Sequence, residues 1–374
     1  MTELVRIAPG ALTIGRPLPF NVYDADGNVL LRQGYVIQTN SQLEQLFERG
    51  RFKPRKIERP QEEVFEDNRE RNPFADYPDL LHSLEATLNA ITESDPSAQK
   101  RLLGLARMIE RTCSESPDAS LALVHLYSIG PVIYEQILFY AILCQFIGRQ
   151  FGLEENRVSV LTAAALTANL ALVPIADKLN ASNTVLNDEQ RSVIRKHPQR
   201  SIQALKAAGI DNKLLLTIIA QHHEQADGSG YPKGLSGTEI RPEAEILALA
   251  ERYVAMITKR AYRQRMNVAN ARKLIANLAD GKFRPAIPKA LLQVLGEFPP
   301  GILVRLENNE VGVVTRRPVR ARGPFVKAIF GPRGNRYTGT FERDTSEPDF
   351  GIQSLEEPEI MPSMDFSLVW GFRS

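Results

Sequence analysis

The stretch AQHHEQADGSGYPKGLSG, residues 220–237, decides how this chain is read. It sets His222 and His223 side by side ahead of Asp227, Gly228, Ser229, Gly230, Tyr231 and Pro232, with Gly234 and Gly237 close behind. So many glycines around one proline exceed what an ordinary helix connection needs, and they imply a rigid loop of defined conformation. Beside the histidine pair, that loop reads as a lip on a cavity. The chain holds five histidines, and a third, His197 in RKHPQRS, stands shortly upstream. Adjacent residues on a helix point about 100° apart, so His222 and His223 are expected to bracket a cavity from two directions. Neutral imidazole suits zinc, iron or manganese, and three imidazoles with one carboxylate make a metal shell. The plainer alternative has His197 capping a helix, one of the pair buried and hydrogen-bonded, and the other solvated. The clustering favours a site.

The carboxylate comes from downstream. In PEAEILALAERYVAMIT, Ile246, Leu249, Ala250, Tyr253, Met256 and Ile257 share a broad apolar face, and Leu247, Val254 and Ala255 surround Glu251. Glu251 is therefore expected to be partly buried, and a desolvated carboxylate needs a metal or a cation. Metal ligation and a salt bridge to an arginine elsewhere both satisfy that need.

Working outward, residues 79–297 carry helical periodicity throughout, beginning with Leu80, Leu81, Leu84 and Leu88, and predict an all-α bundle. Asn187 with Gln190 resembles a capping box, and Pro242 opens the helix that carries Glu251. Residues 1–60 read as a small β-containing unit: Asp26-Gly27 lies between apolar runs as a hairpin turn, and Leu43, Leu46 and Phe47 mark a short helix. The charged, proline-bearing stretch 61–78 reads as a linker. After Pro299-Pro300-Gly301, alternating segments ILVRLENNEVGVVT and FVKAIFG predict a β-rich C-terminal module over 298–374, whose acidic tail is expected to run over the surface. The fold class is mainly α, flanked by these two β-bearing parts.

Composition excludes several functions. The 374 residues are 43% hydrophobic and 24% charged, ordinary for a globular protein. Lys and Arg total 46 against 44 acids, a formal charge of +2, which gives no global field to hold a polyanion, so DNA is not expected as a partner. Cys113 and Cys144 lie far from any C-x-x-C pattern, which argues against a disulfide framework and fits a reducing cytoplasm. The start MTELVRIAPG lacks the features of a signal peptide, so a cytoplasmic protein is expected. Val158–Ala176 is uncharged over nearly the length of a membrane span. Its Ala and Thr content, with Asn169 and Pro174, marks it instead as a buried bundle helix, and Ile137–Gly148 is too short to span.

His222-His223-Glu224, then Asp227-Gly228-Ser229-Gly230-Tyr231-Pro232 and Gly234-Leu235, resembles the signature of HD-GYP domains, a branch of the HD phosphohydrolases. The resemblance covers about residues 120–270 and includes His197-Pro198, ILALAERY and Lys259-Arg260-Ala261-Tyr262-Arg263. IGRPLPFNVYDADGNVLLRQG and the C-terminal β segment are similar, less specifically, to flanking regions of some relatives. The resemblance implies an HD-GYP-type helical domain, a bacterial source, and hydrolysis of cyclic di-GMP at a two- or three-metal centre, where metals activate water and clamp the phosphate. It places His197, His222 and His223 at metal ligands, Glu251 where the family usually has an aspartate ligand, and Arg260 and Arg263 at positions holding the ligand's phosphates.

This sequence departs from the family at the pair that names it, which aligns with Ala168-Asn169, and Leu172 stands in place of the catalytic lysine. An upstream family histidine aligns with Gln136. Alanine offers no lone pair, and neutral asparagine cannot supply the anion that bridges two divalent ions. The expectation is a degenerate HD-GYP protein that senses cyclic di-GMP or docks a signalling protein through the GYP loop. It would bind one divalent iron, manganese or zinc, or none if the degeneracy is complete. The competing expectation is a phosphodiesterase with a reduced metal site, yielding pGpG or GMP. A scaffold that binds no nucleotide is a third, and a homodimer through the N-terminal unit is the assembly considered.

Overall fold

The computed structural model describes residues 4–7, 12, 14–52, 71–128, 132–176, 187–259, 265–278, 281–318, 323–357 and 364–372. At the N-terminus, β1 (Val5–Arg6), β2 (Val22–Tyr23), β3 (Val29–Leu31) and β4 (Arg51–Phe52) pair antiparallel in the order β1-β4-β2-β3. The expected hairpin joins β2 to β3, and the Asp24 carboxylate accepts from the backbone N–H groups of Asp26 and Asn28 to hold the turn. Helix α1 (Asn40–Arg49), capped by the Thr39 hydroxyl, sets Leu46 into a small core with Ile7, Leu18, Val22, Ile37 and Phe52.

The bundle begins earlier than its leucine pattern suggests. Helix α2 (Pro73–Thr92) starts inside the stretch that composition marks as a linker. The Asn72 side chain accepts from the N–H groups of Phe74 and Ala75, and Pro73 occupies the first turn, where its missing N–H costs nothing. The rest of that stretch, through residue 70, lies outside the described residues. Then follow α3 (Ala98–Glu115), α4 (Pro117–Leu126), α5 (Ile133–Phe151) and α6 (Glu155–Thr167). After these come α7 (Asp188–Ala207), α8 (Lys213–Gln221), α9 (Pro242–Ile257), α10 (Val268–Asn277) and α11 (Ala286–Leu295). Helix α5 is buried on every face from Ile133 to Gly148 except at Tyr134, as the central helix of a bundle must be, and this accounts for the apolar run 137–148.

Among the described residues one run, Glu155–Ala176, is long and apolar enough to cross a bilayer. In the fold it breaks: α6 ends at Thr167, Ala168 and Asn169 turn, and Leu170–Leu172 forms a 3-10 segment. Most of its apolar window, 61%, is buried against other helices, in keeping with a bundle helix.

The C-terminal part is an antiparallel sheet of β5 (Leu303–Leu306), β6 (Val311–Arg316), β7 (Phe325–Phe330), β8 (Arg336–Asp344) and β9 (Ile352–Glu356), in the order β8-β7-β6-β5-β9. The tail does not simply run over the surface. Its segment β9 pairs with β5, Val304 opposite Leu355, and Glu356 tolerates the strand because Arg305 donates to its carboxylate at 2.6 Å. Helix α12 (Phe366–Trp370) then lays Trp370 on Phe74 with ring centroids 4.8 Å apart, while Trp370 Nε1 donates to the Thr315 carbonyl. Alternation alone misses this, because the three acids in LEEPE disguise the strand. Sheet and bundle share one hydrophobic core through Leu303, Val304, Val313 and Val314. Gly301 makes the close approach possible: its φ is 93°, and a Cβ there would sit 2.6 Å from the Ala122 carbonyl oxygen.

The N-terminal unit has its own core, and a buried cation, Arg16, ties it to the bundle. The Arg16 guanidinium donates to the Glu135 carboxylate in the first turn of α5 and to the Tyr127 carbonyl, while Tyr77 Oη donates to the same carboxylate at 2.7 Å.

Candidate functional site

The histidines arrive from two places in the fold. His197 lies in the middle of α7, rather than capping a helix, directly before Pro198. His222 is the C-terminal cap of α8, with His223 next in the turn. The pair therefore sits just beyond a helix end. There the rings come within 4.0 Å of each other and both meet His197, at 5.3 and 5.0 Å between centroids. One nitrogen from each of the three lies within 4.8 Å of the others.

Backbone carbonyls fix the tautomers of two rings. His197 Nδ1 lies 2.6 Å from the Ile194 oxygen and His222 Nδ1 lies 2.7 Å from the Ile219 oxygen. A carbonyl only accepts, so each Nδ1 carries the proton and each Nε2 presents a lone pair, as in a metal ligand oriented by its outer partner. Those two Nε2 atoms face each other at 3.3 Å. With a lone pair on both, this is a repulsive contact unless a cation or a proton lies between them. A proton is disfavoured: burial pulls His197 down to about 3, helped by the neighbouring His222, and pulls His222 down to about 4. His223 is also held well below its ordinary value, again chiefly by burial. Three neutral imidazoles, two of them buried with their Nε2 lone pairs turned toward each other, fit a divalent transition ion.

Glu251 on α9 comes to the same place, its Oε2 4.0 Å from His222 Nε2. With His222 neutral this spacing is no ion pair. Its Oε1 instead accepts from Asn169 Nδ2 at 2.5 Å. Burial pushes the Glu251 carboxyl up to about 7, against the opposing hydrogen bond from Asn169. Salt-bridging to an arginine elsewhere was one expected role for Glu251, and among the described residues no arginine ion pair to it is present. The Ala168 side chain is fully buried, and its carbonyl accepts from Ser201 of α7 at 2.9 Å. Leu172 is half-buried in the 3-10 segment. Position 169 thus faces the carboxylate as an amide. His197, His222, His223 and Glu251 are the residues that would hold an ion, and a bound ion would polarise a phosphoryl oxygen.

The glycine-rich loop forms the lip. Tyr231 stacks on His223, with centroids 4.7 Å apart and planes inclined by 24°. Sequence reasoning missed what shapes the loop. Glu224, only 2% exposed, accepts from Lys233 N at 2.7 Å with one oxygen and from Leu235 N at 2.9 Å with the other. Asp227 accepts from Ser229 N, and Gly228 adopts φ 77°. Gly230 packs so tightly that an added Cβ would lie 2.4 Å from Glu224 Cα and Gln225 N, and Pro232 follows Tyr231 through a cis bond. The signal was present in the acid directly after the histidine pair, since a carboxylate there can collect the loop's N–H groups. Arg260 and Arg263 lie outside the described residues, whereas Gln136 lies buried on α5 with Tyr140 Oη at 3.3 Å.

With this geometry in hand, comparison with known proteins is informative. The HD domain family matches residues 98–287. A cyclic di-GMP phosphodiesterase of Pseudomonas aeruginosa is 30% identical over 218 residues, 58% of this chain and 52% of that protein. A 3'3'-cGAMP-specific phosphodiesterase of Vibrio cholerae is 26% identical over 161 residues, 42% of this chain and 30% of that protein. The chain thus spans about half or less of the length of these curated relatives. Among solved structures, an HDG"Y"P protein from Bdellovibrio bacteriovorus superposes with a TM-score of 0.53 at 17% identity, over 78% of this chain and 99% of that one, which speaks to the fold alone. The histidines, the GYP loop and the 190-residue span of the match agree, and the chain belongs to the HD domain family, in its HD-GYP branch.

Proposed function

We propose that this protein is a signalling module that binds a cyclic dinucleotide, cyclic di-GMP in the first instance, at a site with one divalent ion. In this reading it acts as a sensor or as a docking platform through the GYP loop, and hydrolysis is lost. The relatives' names carry the ligand, and the family is metal-dependent. The loss of hydrolysis rests on one observation: the side chain facing Glu251 is the amide of Asn169, donating at 2.5 Å. A second divalent ion would need an anion there, and a donating N–H group repels it. One ion alone leaves the attacking and departing oxygens of a phosphodiester without their paired clamp. Leu172 supplies neither charge nor proton.

The second reading, a phosphodiesterase with a reduced site, is favoured by the two preset tautomers, which keep the imidazoles ready as ligands. One experiment separates the readings. Purified protein is loaded with iron, manganese or zinc, its metal content is measured, and cyclic di-GMP is followed by calorimetry and by chromatography for pGpG and GMP. Binding of nucleotide with one ion per chain and no product is the expected result. Product formation that disappears in His222→Ala overturns it. Calorimetry with 3'3'-cGAMP in parallel decides which cyclic dinucleotide the site prefers.

A further inference from the structure

On α7, two residues before His197, Arg195 places its guanidinium carbon 5.5 Å from the centre of the Tyr231 ring, the ring that stacks on His223. Arg195 has no acidic partner among the described residues, unlike Arg191 one turn earlier, which pairs with Asp188 at 3.6 Å. Beyond the acidic first turn of α7, Asp188 and Glu189, the sequence is basic as well: residues 190–213 hold Arg191, Arg195, Lys196, Arg200, Lys206 and Lys213 against the single acid Asp211. An exposed guanidinium over an aromatic ring is held by the ring's negative face, yet its N–H groups point outward in the guanidinium plane and remain free to donate. A planar fork of donors of this kind is matched by two oxygens of a phosphate.

We propose that Arg195 contacts a phosphate of the ligand at the mouth of the histidine cluster, with the Tyr231 ring holding its guanidinium in place. This inference rests on the reading that the site takes a nucleotide, and it adds a basic group on α7, beside Tyr231 of the glycine-rich lip, to the phosphate-holding role that the resemblance gives Arg260 and Arg263. Anion selection would then reside partly in α7, on the same helix as a metal-ligand candidate, so that phosphate and ion are registered by one rigid element.

The test uses the full chain loaded with manganese and titrated with two probes, cyclic di-GMP and inorganic phosphate, by calorimetry. Arg195→Gln keeps much of the length and removes the charge; Arg195→Lys keeps the charge and loses the fork; Arg191→Ala is the control. Arg195→Gln is expected to weaken both probes about tenfold, with the lysine variant intermediate and the control unchanged. Metal content and melting temperature should stay at wild-type values, which a merely structural role in supporting Tyr231 would not allow. If phosphate binds the wild-type protein and weakens in Arg195→Gln while cyclic di-GMP binds neither, the nucleotide reading falls and the assignment of Arg195 stands. Equal affinities in wild type and Arg195→Gln overturn the assignment, and so does a wild-type protein that binds neither probe.

Discussion

Replacing Asn169 by Asp returns a carboxylate to the position that faces Glu251, and its consequences follow from one distance. Asn169 Nδ2 and Glu251 Oε1 are 2.5 Å apart, so the variant would bring two carboxylate oxygens to about 3 Å. At an effective dielectric constant of about 20, two unit charges at that separation repel by roughly 5 kcal/mol. The pair escapes most of this by sharing a proton or by taking up a cation, which leaves roughly 2 kcal/mol of penalty in the metal-free protein. For a chain of 374 residues that corresponds to a fall in melting temperature of about 2–3 °C. The sign with pH is set by Glu251, whose carboxyl already stands at about 7 in the folded protein. A carboxyl raised on folding contributes stability at low pH and loses it as pH rises through the folded value, so the deficit of the variant should widen from pH 6 to pH 8 in chelator. Manganese should close or reverse the gap, and bound metal should rise from one ion per chain toward two. Thermal melts at both pH values with and without manganese, together with metal analysis, are the assay. A variant that melts like the wild type at both pH values and binds no additional metal refutes the argument, because the carboxylate would then not face Glu251.

Other consequences are more local. Gly230→Ala forces a methyl group to 2.4 Å from backbone atoms of Glu224 and Gln225; it should cost about 1–3 kcal/mol in urea unfolding and lower metal retention, because the loop seated on His223 must shift. Arg16→Met leaves the Glu135 carboxylate buried with only Tyr77 Oη and Val132 N as partners among the described residues, and should cost roughly 3–5 kcal/mol, seen as faster hydrogen exchange across residues 14–52. Adding Glu135→Leu to it should recover most of that loss, and a double variant as unstable as the single one would show that the pair is not what fastens the unit. His125, enclosed between the Pro300 carbonyl and Tyr253 Oη, is pulled by burial down to about 4. Its folded value lies below its unfolded one, so its contribution is complete above about pH 6.5 and is lost as pH falls toward 4, roughly 2 kcal/mol between pH 7 and pH 5. The difference in unfolding free energy between wild type and His125→Gln, read from urea titrations, should shrink by that amount over the interval; Glu251, which titrates with the opposite sign, cancels in the difference.

How much of this was open to sequence reasoning depends on the range of the interaction. The helices of the bundle, the hairpin at Asp26-Gly27 and the cap at Asn187 are set by neighbours a few residues apart, and they form where periodicity and caps place them. The start of α2 is equally local, but its signal is a single Asn-Pro step, outweighed in composition by the charged residues around it. Strand β9 is a different case: what makes an acidic tail into a strand is Arg305, about fifty residues away, and no local pattern reports that. The site divides in the same way. Histidines beside a glycine-rich loop mark a cavity by residue type alone, and Glu251 is marked by its apolar surroundings. The contacts that decide its chemistry join residues far apart in the chain, Asn169 to Glu251 and Arg195 to Tyr231. The tautomers belong to the local class and could have been read earlier: each of the two buried histidines turns Nδ1 toward a carbonyl three residues back, which a helical turn always offers. A helix that pins the proton on Nδ1 thereby aims the other lone pair away from its own backbone. When two such helices converge, the meeting point has an electrostatic need for a cation before any ligand is considered.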